Sequence, residues 1–193
     1  MKRKRVIIGI CGRARSGKDT VADELKRWGV QKIAFADKLK SICGDLFDLT
    51  RSQLYGDQKE VMDKRWEKSP RMIFQEVGDI MRGVHGNIWI SQVAKHIQRE
   101  KGDFVVTDIR YYNELKAIKA LEGPEVLVKL WNIQRPDAPE VHGSNTHVSE
   151  TEMLTIPIGE FDEIIKNDNL FDTKIKVEKL MSQMGEEIKL CEE

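Results

Sequence analysis

Gly12-Arg13-Ala14-Arg15-Ser16-Gly17-Lys18 has the residue types and spacing to hold a polyphosphate. The glycines let successive backbone N–H groups converge on an anion, and a following helix would add its partial positive charge. Lys18 supplies an ammonium for the outer phosphates. The context supports this chemistry: an apolar run over 6–11 precedes the loop and an amphipathic stretch over 19–28 follows it. Strand, glycine-rich loop and helix form the setting in which a P-loop spacing acquires meaning. The expectation is a nucleoside triphosphate site lined by Gly12, Arg13, Ala14, Arg15, Ser16, Gly17, Lys18, Asp19 and Thr20. Arg15 and Lys18 bring the charges for the transferring phosphate.

Asp19 departs from the common pattern, which places Ser or Thr after the lysine to ligate Mg²⁺. Thr20 cannot take over that spot, because adjacent helix residues differ by about 100° in direction. Carboxylate oxygen suits Mg²⁺, so Asp19 is a candidate metal ligand. The alternative role is to complement the positive end of the helix dipole.

A second group lies where a later apolar run ends, at Thr107-Asp108-Ile109-Arg110. An acid closing a buried strand beside a P-loop suits the metal side of a phosphoryl-transfer site, which makes Asp108 the second metal candidate. Arg110 could hold a phosphate bidentately. The competing reading is a local Asp–Arg ion pair. Further cations occur at Lys38, Lys40, Arg71, Arg82 and Arg135. If the acceptor is itself a phosphate, it is already anionic and no strong base is required. Asp108 then organises metal, water or substrate and does not accept a proton. Trp66, Trp89, Tyr111 and Tyr112 are candidates for stacking on a base, Trp89 equally for the core. His142 and His147 lie too far from other ligand types to suggest a metal site.

The elements that must position these residues alternate between strand and helix. Apolar runs over 6–11, 32–36, 104–107, 126–131 and 163–166 read as five strands, several buried on both faces. Val21, Ala22, Leu25 and Trp28 form a helix stripe. Ser69-Pro70 reads as an N-cap with proline at the first helical position, and Asn113 as the cap of a helix over 114–121. Ser149 and Glu152 have capping-box spacing. Ile175, Leu180, Met181, Met184 and Ile188 mark the core side of a last helix. The expected fold is α/β, with a mainly parallel sheet flanked by helices. Two stretches exceed what the sheet needs, 37–99 and 132–157, and long insertions of that kind are usually binding elements or lids. The core is then 1–36, 100–131 and 158–193.

Composition excludes several classes. Lysine plus arginine equals aspartate plus glutamate, 32 each in 193 residues, so charge gives no reason to expect nucleic acid. The basic cluster at residues 2–5 reads as a solvated terminus. Cys11, Cys43 and Cys191 are an odd, scattered set, which argues for a reducing compartment and against a disulfide framework or zinc site. No apolar run suits a bilayer or a secretion signal, so neither a membrane nor an exported setting is expected and the cytoplasm is the default. Nothing sets an oligomeric state, and a homodimer is compatible with the chain.

Together, Ser16-Gly17-Lys18-Asp19-Thr20, Gln75 with Gly78-Asp79, Arg82 and Trp89, Thr107-Asp108-Ile109-Arg110, Arg135-Pro136, Thr146-His147 with Ser149-Glu150, and Ile165-Lys166-Asn167-Asp168 resemble phage deoxynucleoside monophosphate kinases in type and order. The resemblance runs from Val6 to about Met184. It implies a P-loop kinase fold with 37–99 as the acceptor-binding insertion and 132–157 as a mobile lid, and transfer of phosphate from ATP to a deoxynucleotide with Mg²⁺, in the host cytoplasm if the gene is a phage's. It places Lys18 and Asp19 on the P-loop, Asp108 and Arg110 on the strand-end pair, and Arg135 on the lid arginine. The acceptor set it implies is Asp37, Lys38, Arg71, Gln75, Arg82, Trp89, Arg110 and Glu114. Gly78-Asp79 departs from the Gly-Thr-Asp common in such proteins. The stretch between Ile42 and Arg71 is shorter than in some members. Competing readings are a phosphomevalonate or dephospho-coenzyme A kinase, a nucleotide-binding switch and a DNA-binding module. No guanine-reading Asn-Lys-x-Asp sequence supports the switch.

Overall fold

The computed structural model describes residues 3–137 and 148–190, with the side chains of 149, 150 and 186–190 outside that description. In chain order its elements are β1 (Arg5–Cys11), α1 (Lys18–Lys26), β2 (Gln31–Ile33), α2 (Ala36–Phe47), α3 (Arg51–Tyr55), a 3₁₀ turn (Asp57–Glu60), α4 (Pro70–Val84) and α5 (Ile88–Arg99). β3 (Phe104–Ile109), α6 (Tyr112–Lys119), β4 (Val126–Gln134), α7 (Val148–Thr155), a 3₁₀ turn (Ile158–Glu160), β5 (Glu163–Lys166) and α8 (Leu170–Leu190) follow. They form two compact units: residues up to Ala34 together with those from Ile97 on, and Phe35–His96.

The first unit holds one sheet of order β2-β3-β1-β4-β5. All four pairings are parallel. From β1 the chain builds outward to β2 and β3 on one side, then crosses to β4 and β5 on the other. The loop leaving β1 therefore sits at the reversal of strand order, where open parallel sheets bind ligands. Alternation along β1 assigns its faces. Val6, Ile8 and Ile10 join Val21 and Leu25 of α1 and Val177, Leu180 and Met181 of α8 in one buried cluster. Each such side chain contributes about 1.5–3 kcal/mol when fully buried. On the other face Gly9 admits a close approach: a Cβ there would lie 2.7 Å from Ile109 Cδ1 and Leu130 Cδ2 and 3.3 Å from Ile118 Cγ2.

Several expectations change. β2 ends at Ile33 and β4 continues to Gln134, so Asn132 and Ile133 belong to the sheet and not to a loop. Trp28 is 44 % exposed. Helix α1 stops at Lys26, and a turn from Trp28 N–H to the Leu25 carbonyl (3.0 Å) carries the indole off the buried face. Ile175 is 47 % exposed, because the buried stripe of α8 runs through Thr173, Val177, Leu180, Met181 and Met184. Ile188's side chain lies outside the described residues. Ser149 falls inside α7, which starts at Val148, and is not its cap. Tyr111, not Asn113, precedes the first residue of α6. The N-terminal basic cluster is not merely solvated. Arg3 pairs with Asp103 (2.7 Å), and Arg5 donates to the carbonyls of Ile97 (2.9 Å) and Gly102 (3.0 Å).

In the second unit Ser69 caps α4 by accepting the Met72 N–H (3.4 Å), with Pro70 at the first helical position as expected. Thr50 and Gln53 form a reciprocal capping box at α3. Gln53 also donates to Asp63 (2.8 Å). Asp63 accepts the Arg65 guanidinium (2.7 Å), and these donors hold its carboxyl well below the usual range.

Candidate functional site

The P-loop is built by backbone conformations that its residues permit. Gly12 and Gly17 sit at φ +153° and +96°, a region that glycine enters without steric cost. Arg15 adopts φ +63°, which costs a non-glycine residue roughly 1 kcal/mol and turns the loop at its tip. Space matters as much as torsion. A Cβ on Gly12 would meet the Ile133 carbonyl of β4 at 2.4 Å, and one on Gly17 would meet Asn167 Nδ2 at 2.0 Å. The loop therefore lies against the carboxyl ends of β4 and β5.

Within it, the Lys18 ammonium donates to the carbonyls of Gly12 and Arg13, both at 2.6 Å. The Ser16 hydroxyl is buried at 1 % exposure of its residue and has no hydrogen-bond partner. A buried hydroxyl without a partner costs about 1–3 kcal/mol, a cost relieved by an anionic oxygen entering the loop. Arg13 and Arg15 are exposed. The loop, its buried hydroxyl and its ammonium together suit a phosphate chain.

Asp19, in the first turn of α1, forms an ion pair with Lys32 of β2. The Asp19 side chain is 83 % exposed, so water and ions reach it. Lys32 was not among the sequence candidates. As a single lysine in a strand it carried no motif signal. Asp108 is the fifth residue of β3 and half-buried; Arg110 follows the strand end. Parallel pairing of Cys11 with Ile109 brings these residues to the exit of β1. Burial pushes the Cys11 thiol up to about 11, against the opposing pull of the Lys18 charge, the Gly12 N–H and the Arg110 charge. Among the described residues no group of three or more His, Cys, Asp or Glu could hold a metal. Mg²⁺ in phosphoryl-transfer sites rests largely on substrate phosphates and one or two carboxylates; the carboxylates on offer are the exposed Asp19 and the half-buried Asp108.

Glu114, expected on the acceptor side, is buried and accepts the N–H groups of Arg110 (2.9 Å) and Tyr111 (3.1 Å). Tyr111 is buried, and the Tyr112 hydroxyl donates to Glu160 (2.8 Å), which Lys119 also reaches (2.9 Å). These two donors hold the Glu160 carboxyl below its ordinary range, Lys119 first. Arg135 directly follows β4 and is exposed. His142, Thr146 and His147 lie outside the described residues. Ser149 and Glu150 lie on α7, their side chains beyond description.

In the second unit, Arg71, Gln75 and Arg82 share one face of α4 by their spacing. Arg71 is paired with Glu60, and Arg82 approaches Asp79 (3.5 Å). Gly78 on that face leaves room for its neighbours: a Cβ would lie 3.3 Å from Leu39 Cδ2 and 3.4 Å from Arg82 Nη1. Trp89 is 3 % exposed, its indole N–H donating to the Gly78 carbonyl (3.3 Å), a place in the core of this unit. Trp66 stands edge-on to Phe47 with ring centroids 5.2 Å apart. Asp37 and Lys38 are exposed in the first turn of α2.

Asn167, noted in sequence only as part of a motif, donates to the Ser16 carbonyl at 2.9 Å across 151 residues. Its own carbonyl oxygen lies 2.8 Å from the Thr173 hydroxyl. Polar residues directly after an edge strand of a parallel sheet were the available signal.

No family model matches the chain. A protein of Acanthamoeba polyphaga mimivirus described as a "putative deoxynucleotide monophosphate kinase" is 34 % identical over 187 residues, covering 86 % of this chain and 91 % of that protein. Among solved structures, TT1252 from Thermus thermophilus superposes with a TM-score of 0.52 at 19 % identity, covering 94 % of this chain and 98 % of that one. Dephospho-CoA kinase from Campylobacter jejuni gives 0.50 at 15 % identity, covering 92 % and 96 %. These structural likenesses establish the fold.

Proposed function

The chain belongs to the deoxynucleotide monophosphate kinase family and has the P-loop kinase fold, and from this premise we propose that it transfers the γ-phosphate of ATP to a deoxynucleoside 5′-monophosphate. The observation that carries the proposal is the glycine loop with its buried, unpartnered Ser16 hydroxyl and the Lys18 ammonium at its mouth. A bond forms between an acceptor phosphate oxygen and the γ-phosphorus, the bond from that phosphorus to the β-phosphate oxygen breaks, and ADP leaves. An acceptor monophosphate is mostly dianionic at neutral pH, with its second pKa near 6, so no strong base is needed.

The protein's task is then placement and charge. Backbone N–H groups of 13–18 hold the donor phosphates, and Lys18 exchanges its loop carbonyls for their oxygens. Arg15, Arg110 and Arg135 offset charge on the transferring group. Arg71, Gln75 and Arg82 on α4 take the acceptor, with Asp37, Lys38 and Trp89 shaping that region. Mg²⁺ would be held by Asp19 and Asp108 and would neutralise phosphate charge. The balanced net charge accords with a small-molecule substrate, and no helix among the described residues is long and apolar enough to cross a membrane.

The test is ADP release from ATP across the four deoxynucleoside monophosphates, their ribose counterparts, phosphomevalonate and dephospho-coenzyme A. Turnover with at least one deoxynucleotide is expected, falling about 10²–10³-fold in a folded Lys18→Met variant. Turnover with only phosphomevalonate or dephospho-coenzyme A would replace the proposed acceptor.

A further inference from the structure

We propose that Asn167 is a positioning residue that sets the P-loop peptide between Ser16 and Gly17, so that phosphate binding depends on the β5–α8 junction. Three observations converge on that peptide. The Asn167 amide donates to the Ser16 carbonyl at 2.9 Å. The same amide nitrogen fills the space in which a Cβ on Gly17 would stand, at 2.0 Å. Its orientation is fixed from behind, because Asn167 Oδ1 lies 2.8 Å from the Thr173 hydroxyl. Thr173 is 1 % exposed in the first turn of α8, and its hydroxyl is also 2.8 Å from the Asn169 carbonyl. One hydroxyl proton is thus shared between two acceptors that both belong to the junction.

The consequence follows from peptide geometry. A trans peptide carries its C=O and N–H on opposite sides. Anchoring the Ser16 carbonyl to Asn167 turns the Gly17 N–H the other way, into the loop, where an anion is received. Gly17 precedes the first residue of α1, so this N–H also lies at the positive end of the helix. Without Asn167 the peptide is free to rotate, and at φ +96° Gly17 has ample conformational freedom to let it. The amide therefore stores the loop in its binding form before the ligand arrives.

The inference rests on the reading of the loop as a triphosphate site, and the experiment separates the two. Affinity of the wild type, Asn167→Asp and Thr173→Val is measured by competition against a fluorescent ATP analogue, with Mg-ATP and with magnesium tripolyphosphate. Asn167→Asp keeps the shape and the acceptor for Thr173 but replaces the donor facing the Ser16 carbonyl with an anion. It should weaken both ligands to the same degree, on the order of ten- to a hundred-fold. Thr173→Val should weaken both by a smaller factor at a similar melting temperature. A loss confined to ATP overturns the inference, since Asn167 would then act on the nucleoside. Unchanged affinities in both folded variants overturn it as well. Should Asn167→Asp fail to fold, unchanged affinity in Thr173→Val decides against it. A wild type that binds neither ligand removes the triphosphate reading itself, and this inference with it.

Discussion

The buried Glu114 carboxylate accepts the backbone N–H of Arg110 at 2.9 Å, which ties the residue after β3 to the first turn of α6. The same oxygen takes the Tyr111 N–H at 3.1 Å. Glu114 thus serves the start of its own helix while fixing the backbone from which the Arg110 guanidinium projects.

Glu114→Ala should accordingly lower stability by about 1–3 kcal/mol, because two N–H groups lose their acceptor. Glu114→Gln, which keeps one carbonyl oxygen, should recover part of it. Urea unfolding with the KM of the acceptor measured alongside decides the role. Unchanged stability with a raised acceptor KM would make Glu114 a direct substrate contact.

The Asp19–Lys32 pair bears on the metal. If Asp19 serves Mg²⁺, Asp19→Ala should raise the Mg²⁺ concentration needed for half-maximal turnover and Asp19→Ser should recover part of the loss. Lys32→Met should lower that concentration, because it removes a cation that competes for the same carboxylate. Superimposable Mg²⁺ titrations of wild type and Asp19→Ala would leave Asp19 only its helix-dipole role, worth about 0.3–1 kcal/mol of stability.

Arg135 leaves the sheet two residues beyond Ile133, whose carbonyl faces Gly12. The Arg135 side chain is exposed there and has little packing to lose. Arg135→Ala should reduce kcat, on the order of 10²-fold if it meets the transferring group, with an unchanged melting temperature. Several degrees lost at normal kcat would mark it as structural.

Burial pushes the thiols of Cys11 and Cys43 up to about 11 from 9.0. The folded protein therefore holds these protons more tightly than the unfolded chain. Their contribution to stability is present below pH 9 and is lost as pH rises towards 11. At pH 8 the folded protein should resist iodoacetamide at both positions, as peptide mass mapping would show, and become reactive in denaturant. Rapid alkylation of native Cys11 at pH 8 would contradict its protection.

What could be read along the chain was contiguous. The loop from Gly12 to Lys18, its flanking strand and helix, and the Ser69-Pro70 cap each rest on neighbours in sequence, so torsional preference and hydrogen-bond chemistry suffice to recognise them. Spacing also marked Val21, Ala22 and Leu25 as core, but not where the stripe ended. Trp28 is turned out by a helix stop that periodicity does not encode, and α8 is phased by Thr173 and Val177 against the sheet instead of by Ile175.

Only the tertiary structure brings Asn167 to Ser16, Lys32 to Asp19 and the end of β4 to Gly12. The end of β4 reaches Gly12 because β4 is the neighbour of β1, whereas Asn167 follows β5 and Lys32 lies on β2, the two edge strands, each one strand removed from β1. The sequence by itself determined that a glycine-containing loop stands between the first strand and the first helix, and which residues compose it. Which distant side chains shape that loop was decided by the sheet, because the crossovers, not the local residue pattern, choose the neighbours of each strand end.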